Sequence, residues 1–249
     1  MKKNKQKVAI ITGASRGIGK AIAFKLDKEG FAVVLVSRNQ KNLKSTLKGF
    51  SKKAIAIPVD VSKEGEVVSM IGKVIKKFGR IDVLVNNAGI SIFKTIDQFE
   101  KEDFEVMVNV NLGGVFYCSR EVIKQMKKQS WGGQIINISS MAAKYFFSSS
   151  PRSLHCMVKA GVAALAGSLQ PELRNYNIKI ATIYPGVVFT DLVTELGRRD
   201  PVELQKFALK PEDIAHVAWM IINQKKNSNI IEVVIQSHFL PKYVSTKSS

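Results

Sequence analysis

A strand, a glycine-rich turn and a helix follow one another near the start of the chain, between Lys7 and Gly30. Val8–Thr12 is a short apolar run rich in β-branched residues, and from Ile18 the apolar residues recur with helical spacing. Three glycines mark the turn between them, Gly13, Gly17 and Gly19. Glycines let a backbone approach a pyrophosphate closely, and the N–H groups at a helix N-terminus attract its charge. The stretch predicts a dinucleotide-binding unit, with an ordinary strand–helix turn as the alternative.

Apolar runs and helical stretches alternate along the rest of the chain. The predicted strands are Val8–Thr12, Ala32–Ser37, Ala54–Val59, Val83–Asn86, Gln134–Ser139, Lys179–Tyr184 and Ile230–Ile235. The predicted helices lie near Gly17–Lys28, Gln40–Phe50, Lys63–Phe78, Lys101–Lys128, Leu154–Asn175 and Pro211–Asn223. Each strand is a near-continuous run of Val, Ile and Leu, which is typical of a parallel sheet covered by helices on both faces. The predicted fold class is α/β, a doubly wound (Rossmann) sheet of about seven parallel strands.

The length and composition favour one domain without a membrane anchor. The 249 residues suffice for one sizeable core, and no linker rich in Pro, Gly or Ser divides them. We expect a single domain over residues 1–249, with basic tails at 1–6 and 237–249. No apolar run approaches the ~20 residues of a membrane span, and no signal region precedes the first strand. We therefore expect a cytoplasmic protein with no membrane partner. Its two cysteines lack metal-like spacing, so no metal and no disulfide scaffold are expected.

The formal net charge of +18 raises nucleic acid as a candidate partner. The lysines are spread over nearly every predicted helix, and no aromatic residues interleave with them as a base-stacking surface requires. A generally basic proteome, or an acidic or phosphorylated ligand, explains the charge equally well. We expect no specific nucleic-acid partner and interpret the substrate as a small molecule.

The end of the second predicted strand bears on the choice of dinucleotide. NAD-selective sites place an acid there for the ribose 2′-hydroxyl, whereas an arginine accommodates a 2′-phosphate. Here Ser37 is followed by Arg38, and Arg16 in the glycine turn could clamp the same phosphate, because guanidinium binds phosphate through two parallel hydrogen bonds. Two solvated surface arginines are the alternative. The pattern favours NADP(H) as cofactor.

Further motifs follow in a fixed order. The first turn reads T-G-x-x-x-G-x-G, the fourth strand ends in Asn86-Asn87-Ala88-Gly89, and Asn111 lies in a V-N-L-x-G-x-F segment. Pro185-Gly186 precedes Thr190 in the pattern P-G-x-x-x-T. Over roughly residues 7–236 these motifs resemble the short-chain dehydrogenase/reductase family, of the NADP(H)-dependent carbonyl reductase type.

The resemblance implies a role for each matching position in cofactor binding. Asp60-Val61, after the third predicted strand, matches an Asp-Val pair that contacts adenine in the family. The family's N-N-A-G segment lies along the cofactor, and its P-G-x-x-x-T segment binds the nicotinamide carboxamide. The implied cofactor-binding residues are Gly13, Ser15, Arg16, Gly17, Ile18, Gly19, Arg38, Asp60, Val61, Asn87, Ala88, Gly89, Lys159, Pro185, Gly186, Val188 and Thr190. The polar, irregular segment 191–207 resembles the family's mobile substrate lid.

The resemblance also implies catalytic residues. The family moves hydride between nicotinamide and a carbonyl carbon, while a tyrosine, a serine and a lysine handle the proton on oxygen. Ser140 matches the serine, with Ser139 as runner-up, and Lys159 matches the lysine. Asn111 falls where the family kinks a helix and holds a water, and Asn109 is its local competitor.

The tyrosine is missing, and His155 stands four residues before Lys159 in its place. Tyr243-Val244-Ser245-Thr246-Lys247 fits the Y-x-x-x-K pattern, but it lies in the basic C-terminal tail and we interpret it as a decoy. Tyr145 lies in the predicted loop 142–153 and lacks the i, i+4 relation to Lys159. A neutral imidazole can donate one N–H to a substrate oxygen, although it is shorter than a phenol.

Three readings remain open at this point. The chain is an active reductase that uses His155, or Ser140 and a water with Lys159, as its proton source. Alternatively it binds NADP(H) as a sensor or scaffold with little catalysis, or it is a tyrosine-replaced variant of an active enzyme. The expected function is interconversion of a carbonyl and an alcohol by hydride transfer. In members of the family, the helices that match Lys101–Lys128 and Leu154–Asn175 form the interfaces between subunits. The resemblance therefore implies a homodimer or homotetramer.

Overall fold

The computed structural model describes residues 6–145, 151–191, 193 and 200–238. Seven strands form one sheet, β1 Val8–Thr12, β2 Ala32–Ser37, β3 Ile55–Pro58, β4 Val83–Asn86, β5 Gly133–Ile138, β6 Ile178–Pro185 and β7 Glu232–Ile235. All neighbouring strands are parallel, in the order β3-β2-β1-β4-β5-β6-β7. The predicted doubly wound sheet of about seven parallel strands is confirmed.

Helices connect the strands and cover the sheet. They are α1 Gly17–Lys28, α2 Gln40–Leu47, α3 Glu64–Phe78, α4 Lys101–Val108, α5 Gly114–Met126, α6 Met141–Tyr145, α7 Ser153–Leu173, α8 Pro201–Phe207 and α9 Pro211–Ile222. One π-helical turn, Asn109–Gly113, joins α4 to α5. Single 3₁₀ turns lie at Ile96–Gln98 and Arg174–Tyr176. Within the described ranges, no helix has the length and apolarity that a membrane crossing requires.

Alternating residues of the strands bury two apolar layers. On one face Ile10, Val34 and Ile135 pack with Val67 of α3 and Val122 of α5. Because successive side chains of a strand point to opposite faces, the next residues belong to the other layer. There Ile11 packs with Ile22 of α1 and Ile214 of α9, among others. The strands are buried on both faces, which explains why they read as continuous apolar runs rather than as alternating ones.

The strand order reverses between β1 and β4. Ile11 of β1 pairs with Leu35 of β2 on one side and with Val85 of β4 on the other. The chain therefore winds outward in both directions from β1 and β4. In open α/β sheets the crevice at the carboxyl ends of such neighbouring strands is the usual ligand site.

The predicted helix Lys101–Lys128 is divided by the π-helical turn around Asn111, where the family resemblance implies a kink. Asn111 Nδ2 donates to the carbonyl of Met107, four residues earlier, at 2.9 Å. That carbonyl is the one an α-helix would pair with the backbone N–H of residue 111. The ladder widens here, and the N–H of Gly114 donates to Asn109 five residues back. The side-chain amide thus accompanies the change from α to π geometry.

Two segments predicted as irregular contain short helices. The loop 142–153 begins inside α6, where the backbone N–H of Ala142 donates to Ser140 Oγ at 3.2 Å. In the segment 191–207, Asp200 caps α8 by accepting from the N–H of Val202 at 2.8 Å, and Pro201 occupies the first turn. An Asp-Pro pair is a strong helix start. The polar composition of the segment obscured that signal.

The remaining element boundaries fall within three residues of the predictions. Several predicted features lie partly or wholly outside the described residues. They are positions 1–5 of the N-terminal tail, 146–150 of the loop 142–153, 192 and 194–199 of the lid, and 239–249 of the C-terminal tail, which include Tyr243.

Candidate active site

The carboxyl ends of β1 and β4 are tied together by Thr12 and Asn87. Thr12 Oγ1 donates to the Val85 carbonyl at 3.3 Å and accepts from the backbone N–H groups of Asn87 and Ala88, each at 3.0 Å. Asn87 Nδ2 donates back to the carbonyls of Thr12 at 2.9 Å and Gly13 at 3.2 Å. The predicted glycine turn and the N-N-A-G segment therefore form one hydrogen-bonded unit at the switch point of the sheet.

The glycines of the turn allow this close approach. A Cβ at Gly19 would lie 2.4 Å from both Asn87 Nδ2 and the Gly13 carbonyl oxygen, a distance at which atoms overlap. Gly17 has φ +53°, a left-handed conformation that other residues rarely adopt, and its added Cβ would lie 3.2 Å from Thr190 Cγ2. The turn thus faces the segment after β6. A cradle of backbone N–H groups at the start of α1 fits a dinucleotide pyrophosphate.

The two arginines predicted for a 2′-phosphate flank a pair of contacting serines. Ser15 Oγ lies 3.1 Å from Ser37 Oγ, and the Ser15 carbonyl accepts from Thr46 Oγ1 at 2.9 Å. Arg16 and Arg38 are the next residues along the chain, and both are exposed. Both arginines therefore lie next to the contact between the glycine turn and the end of β2.

Asp60 and Val61 form the rim of the crevice after β3. Asp60 Oδ1 accepts from Ser62 N at 3.1 Å and from Ser62 Oγ at 2.7 Å, and the Asp60 N–H donates to Glu66 Oε2 at 2.8 Å. Val61 is buried, and its Cγ2 would lie 2.7 Å from a Cβ on Gly114. One Asp60 carboxylate oxygen is thus used in a local turn with Ser62, and the neighbouring Val61 packs against Gly114 of α5.

The segment after β6 is anchored on its other side. The Gly186 N–H donates to the Ile235 carbonyl at 2.7 Å, and the Phe189 N–H donates to the Leu209 carbonyl at 2.8 Å. Val188 is buried and forms an isolated parallel bridge with Leu209. The predicted residues Pro185, Gly186, Val188 and Thr190 therefore lie between the sheet end and the glycine turn.

Asn111 and Lys159 meet at Gly89. A Cβ on Gly89 would lie 2.7 Å from Asn111 Oδ1 and 3.4 Å from Lys159 Nζ. Asn111 is fully buried; its Nδ2 donates to the Ile90 carbonyl at 3.1 Å as well as to Met107, and its Oδ1 has no hydrogen-bond partner among the described residues. A buried acceptor left unpaired costs about 1–3 kcal/mol, so this oxygen fits a water or a ligand hydroxyl. The competing Asn109 is exposed.

Lys159 is fixed from the end of β5. Its Nζ donates to the Ile138 carbonyl at 3.0 Å, and its own carbonyl accepts from Ser139 Oγ at 2.8 Å. Burial lowers the pKa of the Lys159 ammonium to about 8, so the group remains mostly protonated at neutral pH. Ser139 is buried and its hydroxyl is used in this contact, whereas Ser140 is less buried. Ser140 is thus the more accessible of the two candidate hydroxyls.

His155 pairs with a residue that the sequence analysis missed. Its Nδ1 lies 3.0 Å from Ser91 Oγ, and the Phe93 ring centroid lies 5.8 Å from that of the imidazole. Burial lowers the pKa of His155 to about 3, and the charges of Lys159 and Arg152 act in the same direction. The ring is therefore neutral at physiological pH. Ser91 belongs to no motif, and its place two residues after Gly89 was the one available signal.

The alternative tyrosine lies elsewhere. Tyr145 ends α6, is 46% exposed, and lines a shallow groove at the β7 edge with Met141, Val234 and Gln236. The groove does not include His155 or Lys159. Of the ionisable side chains predicted for catalysis, Lys159 lies near Asn111 at Gly89, and His155 contacts Ser91.

Comparison with known proteins agrees with this architecture. A family model described as short chain dehydrogenase matches residues 7–201. An uncharacterised oxidoreductase of Staphylococcus epidermidis is 34% identical over 238 residues, which cover 95% of this chain and 99% of that protein. A second, from Staphylococcus saprophyticus, is 34% identical over 236 residues and covers 92% of this chain and 97% of its own.

Two solved structures share the fold and contain nicotinamide cofactors. A 3-ketoacyl-(acyl-carrier-protein) reductase from Brucella melitensis complexed with NADH superposes with a TM-score of 0.85 at 28% identity, covering 92% of this chain and 96% of that one. An alcohol dehydrogenase from Thermococcus sibiricus complexed with 5-hydroxy-NADP gives 0.81 at 28% identity, covering 96% and 100%. This chain belongs to the short-chain dehydrogenase family of oxidoreductases.

Proposed function

We propose that the chain interconverts a carbonyl and an alcohol with NADP(H), and that His155 replaces the usual tyrosine as proton donor. The observation that carries the proposal is the convergence of Asn111 Oδ1 and Lys159 Nζ at Gly89, beside the unit formed by Thr12 and Asn87. A positive charge and an unpaired acceptor at this crevice suit a reaction that places charge on a substrate oxygen. The two structural neighbours, named as a reductase and a dehydrogenase, support the same class of reaction.

The bound nicotinamide would supply or accept the hydride; the protein supplies the remaining parts of the reaction. The turn of Gly13, Gly17 and Gly19 would hold the pyrophosphate, and the segment ending at Thr190 would hold the carboxamide end. Lys159 places a cation near the reacting oxygen. Ser140 orients the substrate carbonyl by donating a hydrogen bond. Asn111 holds a water that connects the site to solvent, so that protons consumed during reduction are replaced.

His155 acts as a neutral donor in this scheme. Since its pKa is far below neutrality, the imidazolium ion is not available as an acid. A neutral imidazole still carries one N–H, and the other nitrogen accepts. The contact between Ser91 Oγ and Nδ1 leaves Nε2 as the ring nitrogen available to the substrate.

The preference for NADP(H) over NAD(H) is proposed from the two exposed arginines beside Ser15 and Ser37. In Arg38→Ala we expect NADPH to bind about 10- to 100-fold more weakly, because a charge-assisted contact contributes about 1.5–3 kcal/mol. NADH affinity should change less than twofold. Fluorescence titration of each nucleotide measures both constants. Lys41→Ala is the matched control, since it removes an exposed positive charge nearby on α2. Equal loss for both nucleotides, or none, contradicts the proposal.

A homodimer or homotetramer is proposed from exposed apolar residues on three helices. Phe104 of α4 is 48% exposed, Phe116 of α5 is 46% exposed and Met157 of α7 is 46% exposed. Burial of such side chains between copies would remove apolar area from water. Light scattering should give two or four times the chain mass of 27.6 kDa. The double variant Phe104→Lys/Phe116→Lys should elute at a lower mass, and Phe24→Lys on α1 should not. A native monomer at micromolar concentration contradicts the proposal.

A further inference from the structure

Ser91 and His155 form a hydrogen-bonded pair between two elements of the site. Ser91 lies in the turn after β4, two residues past Gly89, and His155 lies in the first turn of α7. Ser91 Oγ is 3.0 Å from His155 Nδ1, and both residues are partly buried. Phe93 packs against the imidazole, and the Arg152 guanidinium lies 5.4 Å from the centroid of the Phe93 ring. The imidazole is therefore held by a polar contact at one nitrogen and an aromatic contact at its ring.

The chemistry of a neutral imidazole links the contact at Nδ1 to the protonation of Nε2. One ring nitrogen carries a proton and donates, while the other accepts, and the partner of one nitrogen decides the state of the other. A serine hydroxyl can donate or accept, so the contact at Nδ1 is compatible with either tautomer. A proton donor to the substrate is needed at the nitrogen that Ser91 leaves free, which is Nε2.

Because Nε2 must carry the proton that reaches the substrate oxygen, we propose that Ser91 donates to the unprotonated Nδ1 and stabilises His155 as the Nε2–H tautomer. Ser91 is then a positioning residue, because it acts through His155. The consequence for catalysis rests on the proposed function, whereas the tautomer is a property of the protein alone. A tyrosine needs no such partner, since its hydroxyl proton is always at the same atom. The pairing explains how a histidine can occupy a position that otherwise requires a phenol.

The proton transfer balances through both residues. In reduction, the substrate carbon would gain a hydride from the reduced nicotinamide, and the electron pair of the C=O π bond would move to oxygen. That oxygen takes the proton from Nε2, while the Ser91 hydroxyl proton moves to Nδ1, so the ring stays neutral and changes tautomer. A proton from bulk water returns to Ser91 Oγ. The step therefore consumes one hydride and one proton, and exchange with water restores the original tautomer after product leaves.

Magic-angle-spinning NMR of sedimented protein labelled with ¹⁵N-histidine tests the tautomer directly at pH 7. The chain has three histidines, and the His155 signals are those lost in His155→Phe. We expect native protein to show a protonated Nε2 and an unprotonated Nδ1 at His155. Ser91→Ala should give a mixture of both tautomers, and Ser91→Thr, which keeps the hydroxyl, should give the native spectrum. Ser168→Ala, an exposed serine of α7, is the matched control.

The results separate this inference from the proposed function. A protonated Nδ1 in the native protein, or an unchanged His155 spectrum in Ser91→Ala, overturns the inference. If the tautomers behave as expected and native protein reduces carbonyls, kcat should fall roughly tenfold in Ser91→Ala and recover in Ser91→Thr, as expected for loss of one hydrogen bond. If the tautomers behave as expected but no carbonyl is reduced, the proposed function fails and the role of Ser91 in fixing the tautomer stands.

Discussion

Replacement of Lys159 by methionine is expected to lower kcat/KM for carbonyl reduction by about 10²–10³-fold. The substitution keeps an unbranched side chain but removes the ammonium group that lies near Gly89 together with Asn111 Oδ1. Removal of one preorganised donor at a site of developing charge has effects of this size. The hydrogen bond to Ile138 is lost as well. Steady-state kinetics with NADPH measures the loss, and thermal unfolding shows whether the variant is folded.

The chain offers a matched control for this variant. Lys179 also has its pKa lowered by burial, and its Nζ donates to the carbonyls of Lys225, Lys226 and Ser228. It lies at the amino end of β6, away from the crevice. Lys179→Met should lower thermal stability but leave kcat/KM of the folded protein within about threefold of native. Equal catalytic losses in both variants would contradict a specific role for Lys159.

The pKa of the Lys159 ammonium predicts how the rate of reduction depends on pH. The Lys159 ammonium, with its pKa near 8, is present below that pH and is lost above it. The rate of reduction at saturating NADPH should therefore fall as the pH rises through about 8. His155 adds no limb between pH 5 and 8, because its pKa lies near 3 and the ring is neutral throughout.

Replacement of His155 by phenylalanine is expected to lower kcat by about 10²–10⁴-fold, the range that a positioned proton donor contributes. Phenylalanine keeps an aromatic ring against Phe93 but has no N–H for the substrate oxygen and no acceptor for Ser91. The affinity for NADPH should stay within about twofold of the native value, because His155 is not among the predicted cofactor-binding residues. His216→Phe, at an exposed position of α9, is the control. A His155→Phe variant with native kcat would show that the proton reaches the substrate by another route.

The sequence predicted the parts of this molecule that obey strong local rules. The glycine turn, the N-N-A-G segment and the seven strands have patterns with few physical alternatives. Steric overlap at Gly19 and the bonds of Asn87 show why the first two cannot vary independently. The spacing of apolar residues could not predict the π-helical turn, because the turn depends on the hydrogen bond that the Asn111 amide donates to the Met107 carbonyl. Its position followed only from the family resemblance.

Ser91 and α8 were missed for different reasons. A lone serine after a strand carries no spacing rule, and its contact with His155 joins residues 64 positions apart. The start of α8 did carry a rule, an Asp at the N-cap followed by Pro, but the surrounding polar residues favoured a loop. Contacts between residues that are distant in sequence depend on how helices and strands pack together, and local sequence patterns do not encode that packing.

NADPH oxidation by the native chain and by His155→Tyr, measured side by side on ketones, diketones and acyl thioesters, shows whether a chain with His155 in place of tyrosine reduces carbonyls. We predict turnover by the native chain on at least one class of carbonyl, dependent on Lys159. Turnover by His155→Tyr alone would contradict this prediction and identify a reductase disabled at one position. Absence of turnover in both, with NADPH still bound, would contradict it in favour of a cofactor-binding sensor or scaffold.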